Sequence, residues 1–308
     1  MKQAQDPGLG TSYKKSVGRL MNENGSYNIK RVGTFNGYKD IYKSLVDMPW
    51  WKFGLFLTLA FICLNLVFAG GYLLIGIDQL QGVPQSQHPL VATFYFSAQT
   101  FTTVGYGALA PIGTAASLLA AIEAFVGLIT FSMATGLIYG RFSRPSARIA
   151  FSHNVLILPH KDGMAIMFKM VNQRNNVLLN TKVHVMVSVT HENKRLATHE
   201  RQYYDLKLEV DAVRYFPLTW TIVHLIDEQS PLYGLTLRDI SKRGTEVLVL
   251  VEAFDETFSQ TVLQKHSYAE HQWIANMRFK RNFAADDSGK VVLNIHELND
   301  LEPLGNIR

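Results

Sequence analysis

The chain has 308 residues, room for about two domains, and 18% of them are charged, against about 25% in a typical globular protein. The deficit is local: between Lys52 and Arg141 only Asp78 and Glu123 carry charge, which excludes an evenly hydrophilic soluble protein. The net charge is +5, and through Lys52 nine Lys/Arg face four Asp/Glu with no nucleic-acid motif beside them, so a membrane surface accounts for the basic excess.

Met1–Thr34 is polar, with scattered Gly, Ser and Asn, and reads as a loosely ordered cytoplasmic tail. No apolar run succeeds its basic residues, so it is not a secretory signal. In Phe35–Met48, Tyr38, Ile41, Tyr42, Leu45 and Val46 share one helical face while Lys39, Asp40, Lys43 and Asp47 share the other. The pattern predicts an interfacial helix over 35–48. Pro49 ends it, and Trp50, Trp51 and Lys52 suit the headgroup level.

The pore domain is predicted over 49–142. Phe53–Ile77 carries no charge over 25 residues, about 37 Å of helix, enough to cross a hydrocarbon core of ~30 Å. The single cysteine, Cys63, sits inside this run, which excludes an intrachain disulfide and a zinc site. Asn65 reads as a helix–helix hydrogen bond. Asp78–Gly113 has no Lys or Arg, which makes it the outer side and both termini cytoplasmic. Leu90–Phe101, at about 18 Å, is too short to span and must be re-entrant.

Directly after this short helix stands Thr102-Thr103-Val104-Gly105-Tyr106-Gly107. TVGYG is the potassium-filter sequence, in which four loops offer backbone carbonyls, here those of Thr103, Val104, Gly105 and Tyr106, in place of the ion's water. Turning successive carbonyls toward one axis needs backbone angles that Gly105 and Gly107 reach cheaply. A bare GYG is a weak signal; the whole pentapeptide after a short apolar helix and between two spans is a strong one.

Thr114–Gly140 is the second span, rich in small residues that suit close helix packing. Glu123 lies near its outer end, placed to support the filter from behind. Arg141, Arg144 and Arg148 then cluster at the inner face, as the positive-inside rule requires, and suit anionic lipid.

From Arg148 the period changes to two. Val183, Val185, Val187 and Val189 alternate with Lys182, His184, Met186 and Ser188. Further strands are predicted over 149–158, 164–171, 202–208, 218–226, 246–253, 258–266, 273–281 and 291–295. Turn signals at Lys161–Gly163, His191–Lys194, Pro231–Gly234 and Asp287–Gly289 separate them. The spacing predicts an antiparallel, immunoglobulin-like β-sandwich over 143–308, with Val247–Val251 as a central strand. Six histidines here (His184, His191, His199, His224, His266, His271) lack metal-ligand spacing, and no nucleophile–base pair or phosphate loop occurs, so an enzyme is not expected.

These stretches together resemble the inward-rectifier potassium channels, most closely their prokaryotic branch. The resemblance runs from Phe35 to Phe283 and is carried by Asp40–Asp47, TFTTVGYG, GLIYGRFSRP, IAFSHNVLILP, TWTIVHLIDEQSPLYG, EVLVLVEAF and HSYAEHQWIANMRF. It implies a homotetramer in the plasma (inner) membrane, voltage-independent, with potassium as the permeant ion, no cofactor, and block by barium. It places a helix-bundle gate at Tyr139, with Phe131 facing the cavity and Gly136 and Gly127 where a bend opens it. It also shows departures. Phe131 stands where strong rectifiers carry a cavity acid, so block by magnesium or polyamines should be weak. Gln99 and Leu109 replace a Glu–Arg pair around the filter. Pro49, Trp51, Ser146 and Ala147 replace basic lipid-binding positions, while Arg144 and Arg148 remain. Two other readings stay open: a membrane-tethered sensor that barely conducts, and a weakly selective cation channel.

Overall fold

The structure, a computed structural model, describes residues 6–15, 18–33, 41–143, 145, 147–193 and 198–304. It forms two compact units, Gly33–Arg144 and Met1–Val32 with Pro145–Arg308. Along the chain come strand β1 (Ser12–Tyr13), helices α1 (Ile41–Asp47) and α2 (Trp50–Ile75), strand β2 (Leu80–Gln81), helix α3 (Pro89–Phe101), strand β3 (Ala110–Pro111) and helix α4 (Thr114–Phe142).

In the helical unit, α2 and α4 are the two helices long and apolar enough to cross a membrane. Pro49 precedes α2, so the tryptophans form its first turn rather than a separate linker. Gly76, at φ +116°, ends α2 where an L side chain is strained. Helix α3 starts on His88, whose Nδ1 accepts from Leu90 N at 3.3 Å, with Pro89 in the first position, where its missing N–H costs nothing. The β2–β3 ladder ties the stretch before α3 to the stretch after the filter. Of the predicted 35–48 helix, 41–47 is helical; residues 34–40 lie outside the described residues.

The second unit continues with β4 (Ile149–Phe151), β5 (Val155–His160), β6 (Gly163–Asn172), β7 (Leu178–Asn193), β8 (Thr198–Asp205), β9 (Ala212–Tyr215) and β10 (Trp220–Ile226). Helix α5 (Leu237–Lys242) leads into β11 (Glu246–Asp255) and β12 (Gln260–Tyr268), then β13 (Trp273–Ala275), β14 (Met277–Phe279), β15 (Phe283–Ala285), β16 (Val291–Leu293) and β17 (Leu301–Pro303). One sheet runs β1-β8-β7-β11-β12 with β9 on β7; the other runs β10-β6-β5-β13 with β4 on β6. The core lies between them: Val183, Val185, Val187, Val247, Val249 and Val251 from the first meet Ile166, Phe168, Met170 and Ile222 from the second. Each buried side chain of this size contributes roughly 1.5–3 kcal/mol relative to exposure. β11 is central, flanked by β7 and β12, as its apolar character on both faces predicts.

Several expectations need correction. The predicted 149–158 strand is two strands, broken at Ser152, whose hydroxyl accepts from Lys169 N at 3.0 Å and donates to Asn154 O at 3.0 Å. The 273–281 strand is likewise two, divided at Asn276, φ +61°. His191 belongs to β7 rather than to a turn. The sandwich is not wholly antiparallel, because β13 runs parallel to β5. The described part of the N-terminal tail is not loose: β1 pairs with β8, and Leu20 and Met21 are buried against Tyr203 and Leu248.

Candidate functional site

The filter segment begins where α3 ends. Thr102 closes the helix, its N–H donating to Ala98 O and its hydroxyl to the same oxygen at 2.7 Å. Val104 N and Gly105 N both turn back to Gln99 O, at 3.0 and 3.3 Å. Along the filter every second residue is left-handed: Thr103 at φ +58°, Gly105 at +54° and Gly107 at +80°. Alternating left- and right-handed residues turn successive carbonyls the same way, which is what a column of cation sites needs. The two glycines reach this freely. Thr103 is a β-branched residue in a region that costs about 1–2 kcal/mol, strain the sequence pattern did not disclose.

Gln99 and Leu109 meet after all. The Gln99 side-chain amide donates to Leu109 O at 3.1 Å, so a neutral bond spans the filter's two flanks where the resemblance marks a missing ion pair.

Behind the filter, Glu123 is fully buried and surrounded by donors. Tyr72 Oη on α2 donates to it at 2.6 Å, and Ser97 on α3 also hydrogen-bonds to it. The Ser97 hydroxyl lies as well 2.9 Å from Asn65 Oδ1, while Asn65 Nδ2 donates to Phe61 O at 2.7 Å. Tyr72 stacks edge-on against Phe96 of α3. All three helices of the bundle therefore join through four polar side chains in an apolar setting, where an unpaired group would cost about 1–3 kcal/mol. Sequence reasoning placed Glu123 and Asn65 but not Tyr72 or Ser97, whose residue types look ordinary within apolar runs.

Phe131 and Tyr139 lie two turns apart on one stripe of α4, each 73% exposed in the single chain. Gly136 has no neighbour where a side chain would go. Gly127 differs: a Cβ there would run into Phe101 O of α3, so this glycine is a close approach of backbones.

Within the basic cluster, Arg141 is engaged inside the helical unit. The Arg141 guanidinium donates to Val46 O at 2.9 Å and Met48 O at 2.6 Å, with Leu45 O also in reach, and lies over the rings of Trp50 and Phe53 at 4.4 Å each. It caps the carbonyl end of α1, where a cation opposes the helix dipole. A Cβ at Gly140 would lie 2.7 Å from Tyr42 Oη, so α1 sits tight on α4. Trp51 and Lys52 face outward, stacked on one another at 5.3 Å. Arg148 is exposed in the other unit, and Arg144 lies outside the described residues. Among the described residues no group of His, Cys, Asp and Glu is arranged to hold a metal ion.

Two family profiles match the chain: "Inward rectifier potassium channel C-terminal domain" over residues 149–305 and "Ion channel" over 55–144. The "Inward rectifier potassium channel Kirbac3.1" of Paramagnetospirillum magnetotacticum is 32% identical over 92% of this chain and 95% of its own length. The chain belongs to the inward-rectifier potassium channel family. Two further inward rectifiers are more distant. The bovine "ATP-sensitive inward rectifier potassium channel 12" is 27% identical over 85% of this chain and 66% of its own, and the human "Inward rectifier potassium channel 18" 26% over 78% and 60%. The solved structure of Spo0M from Bacillus subtilis aligns at 8% identity and a TM-score of 0.22, over 41% of this chain and 49% of its own, and carries no argument about fold. As an inward rectifier the chain is a membrane ion channel and not an enzyme, with a transmembrane pore unit followed by a β-sandwich unit.

Proposed function

We propose that the protein is a homotetrameric, potassium-selective channel conducting passively down the ion's gradient, with no cofactor beyond potassium itself. The observation that carries this is the left-handed alternation at Thr103, Gly105 and Gly107 within an intact TVGYG. Four such segments around an axis give rings of carbonyls from Thr103, Val104, Gly105 and Tyr106, and no reacting group. Tyr106, 82% exposed, and Val104, 52% exposed, are apolar walls that one chain leaves uncovered, which supports a neighbour on each side.

Glu123, its partners Tyr72 and Ser97, and Asn65 beyond Ser97 hold the outer half of the bundle around this loop. Tyr139 closes the inner end as a ring of four aromatics that excludes water, Phe131 lines the cavity above it, and Gly136 is the free bend point. The protein lies in the plasma (inner) membrane with both termini cytoplasmic, the basic flanks fixing that orientation. The boundaries fall at a tail to 34, an interfacial helix to 48, a pore domain to 142 and a cytoplasmic β domain beyond. Trp50 and Trp51 anchor at the interface; Lys52, Arg144 and Arg148 meet anionic headgroups, and Arg141 acts through α1.

Potassium flux into liposomes reconstituted with the purified protein tests the proposal. Expected are barium-sensitive uptake, a reversal potential that tracks potassium and not sodium, and weak block by magnesium and polyamines because Phe131 offers no carboxylate. Equal sodium and potassium permeability, or a monomer in the bilayer, would refute it.

A further inference from the structure

A recess of about 550 Å³ opens in the β unit, where α5 and the turn after it meet the β7–β8 hairpin and the N-terminal segment. Its floor is an ion pair between Arg201 and Glu246, 3.2 Å apart and each 3% exposed. The acid is already spent: Glu246 also accepts from Leu20 N and Met21 N at 3.0 Å each. Arg201 donates further to Thr190 Oγ1 at 3.2 Å and Gly18 O at 3.0 Å. Those bonds fasten the N-terminal segment, so Gly18 and Arg19 form one wall of the recess.

The rim is different. Lys242, Arg243, His199 and His271 line it, and none of these four side chains makes a hydrogen bond or ion pair with another described residue. The rim's single acid is Glu270, so with the floor included four cationic side chains face two carboxylates. His191, next to Thr190, is held below the ordinary histidine range first by burial and then by the charge of Arg243, with Glu200 opposing.

We infer that this recess binds a small anion carrying more than one phosphate group, and that the bound anion holds the N-terminal segment on the β unit. Phosphate oxygens accept at once from a guanidinium, an ammonium and imidazole N–H groups. The volume falls within the roughly 300–1,000 Å³ of ligand sites. A tricarboxylate such as citrate offers fewer acceptor oxygens than tripolyphosphate to the same donors. Because one wall is the segment itself, a ligand seated there adds contacts only in the docked state, and binding and docking are linked. The inference rests on the β unit alone and stands apart from conduction.

The test is titration of the purified full-length protein with inorganic tripolyphosphate, with citrate as the competing chemistry. Saturable binding is expected, with citrate much weaker. Lys242→Glu with Arg243→Glu, both exposed positions, should weaken tripolyphosphate by about tenfold or more through lost charge-assisted contacts. The charge-matched pair Arg214→Glu with Lys290→Glu, away from the recess, should leave it within about twofold. Tripolyphosphate should slow amide exchange at Leu20 and Met21 in the native chain and not in the Lys242/Arg243 variant. Co-sedimentation with phosphatidylcholine vesicles containing phosphatidylinositol bisphosphate, against phosphatidylcholine alone, separates a lipid source from a soluble one. Lys242/Arg243-dependent capture that tripolyphosphate competes away assigns the phosphate to a headgroup. No binding in either arm, equal weakening by both double variants, citrate binding as tightly, or unchanged exchange at Leu20 and Met21 overturns the inference.

Discussion

In the β unit Val183, Val185, Val187 and Val249 point inward and charged residues such as Lys182 and Glu252 point out. In the helical unit the order is reversed. Leu74 is 91% exposed and Phe125 64%, while Asn65, Ser97 and Glu123 have no exposed surface. Lipid solvates apolar side chains as well as a protein interior does, so polar groups are what must be hidden and paired. The difference teaches that the β unit completes its core within one chain, whereas the helical unit leaves its apolar surface outward, for lipid and, on the proposed assembly, for other copies.

The strongest test of that contrast is at the filter. Gly105→Ala places a Cβ at φ +54°, and although no atom of its own chain lies within 4 Å, the left-handed backbone is strained by about 1–2 kcal/mol. The expected outcome is loss of selective flux with the β unit's stability unchanged, read by potassium uptake and by circular dichroism. Retained selectivity would break the comparison. Glu123→Ala should come next. It strands the Tyr72 hydroxyl in an apolar bundle at about 1–3 kcal/mol, while Ser97 keeps Asn65, so the proposed tetramer should dissociate at lower temperature and flux should fall together with it.

A smaller effect is expected from Arg141→Lys. The ammonium keeps the charge but loses the flat fork that reaches the carbonyls of Val46 and Met48 and lies on Trp50, weakening the hold on α1 by about 1–2 kcal/mol. Spin-label mobility on α1 should rise; an unchanged spectrum would mean that the interface, not α4, fixes this helix.

The mildest change concerns pH. His266 stacks on Phe151 at 4.4 Å and bonds Glu23 O at 2.6 Å through Nδ1. Burial pushes its imidazole down to about 4, against 6.5 unfolded, with Arg19 and His153 adding to the fall and the Glu23 contacts opposing it. Below pH 6.5 the unfolded chain takes up a proton that the folded one refuses. The contribution of His266 is therefore complete above about 6.5 and is lost as pH falls toward 4. Thermal melts across that window should show a slope that His266→Phe reduces.

Much of the architecture is legible in the residues. Two long apolar runs, the second carrying only Glu123, together with TVGYG mark the expected pore, and the alternation at Val183–Val189 locates the sandwich. The features that escape depend on distance. Leu248 and Tyr203 are outward-facing apolar residues that call for a cover, yet Leu20 and Met21, more than a hundred residues away, supply it. The left-handed Thr103 is fixed by its surroundings and not by its own preference. Helix α5 does carry a local signal in its residues: Thr236 and Asp239 form a reciprocal cap, with Asp239 N donating to Thr236 Oγ1 at 3.3 Å and Thr236 N to the Asp239 carboxylate at 3.0 Å.

The contact between Gly127 and the last carbonyl of α3 has a mechanical consequence. With no side chain as a cushion, the backbone of α4 bears directly on the end of α3, so on the proposed gating any tilt of α4 has Gly127 as its fulcrum and Tyr139 at its far end. On that proposal, a tilt would press on Phe101, two residues before the strained Thr103. Even one added methyl at position 127 would force the backbones of α4 and α3 apart.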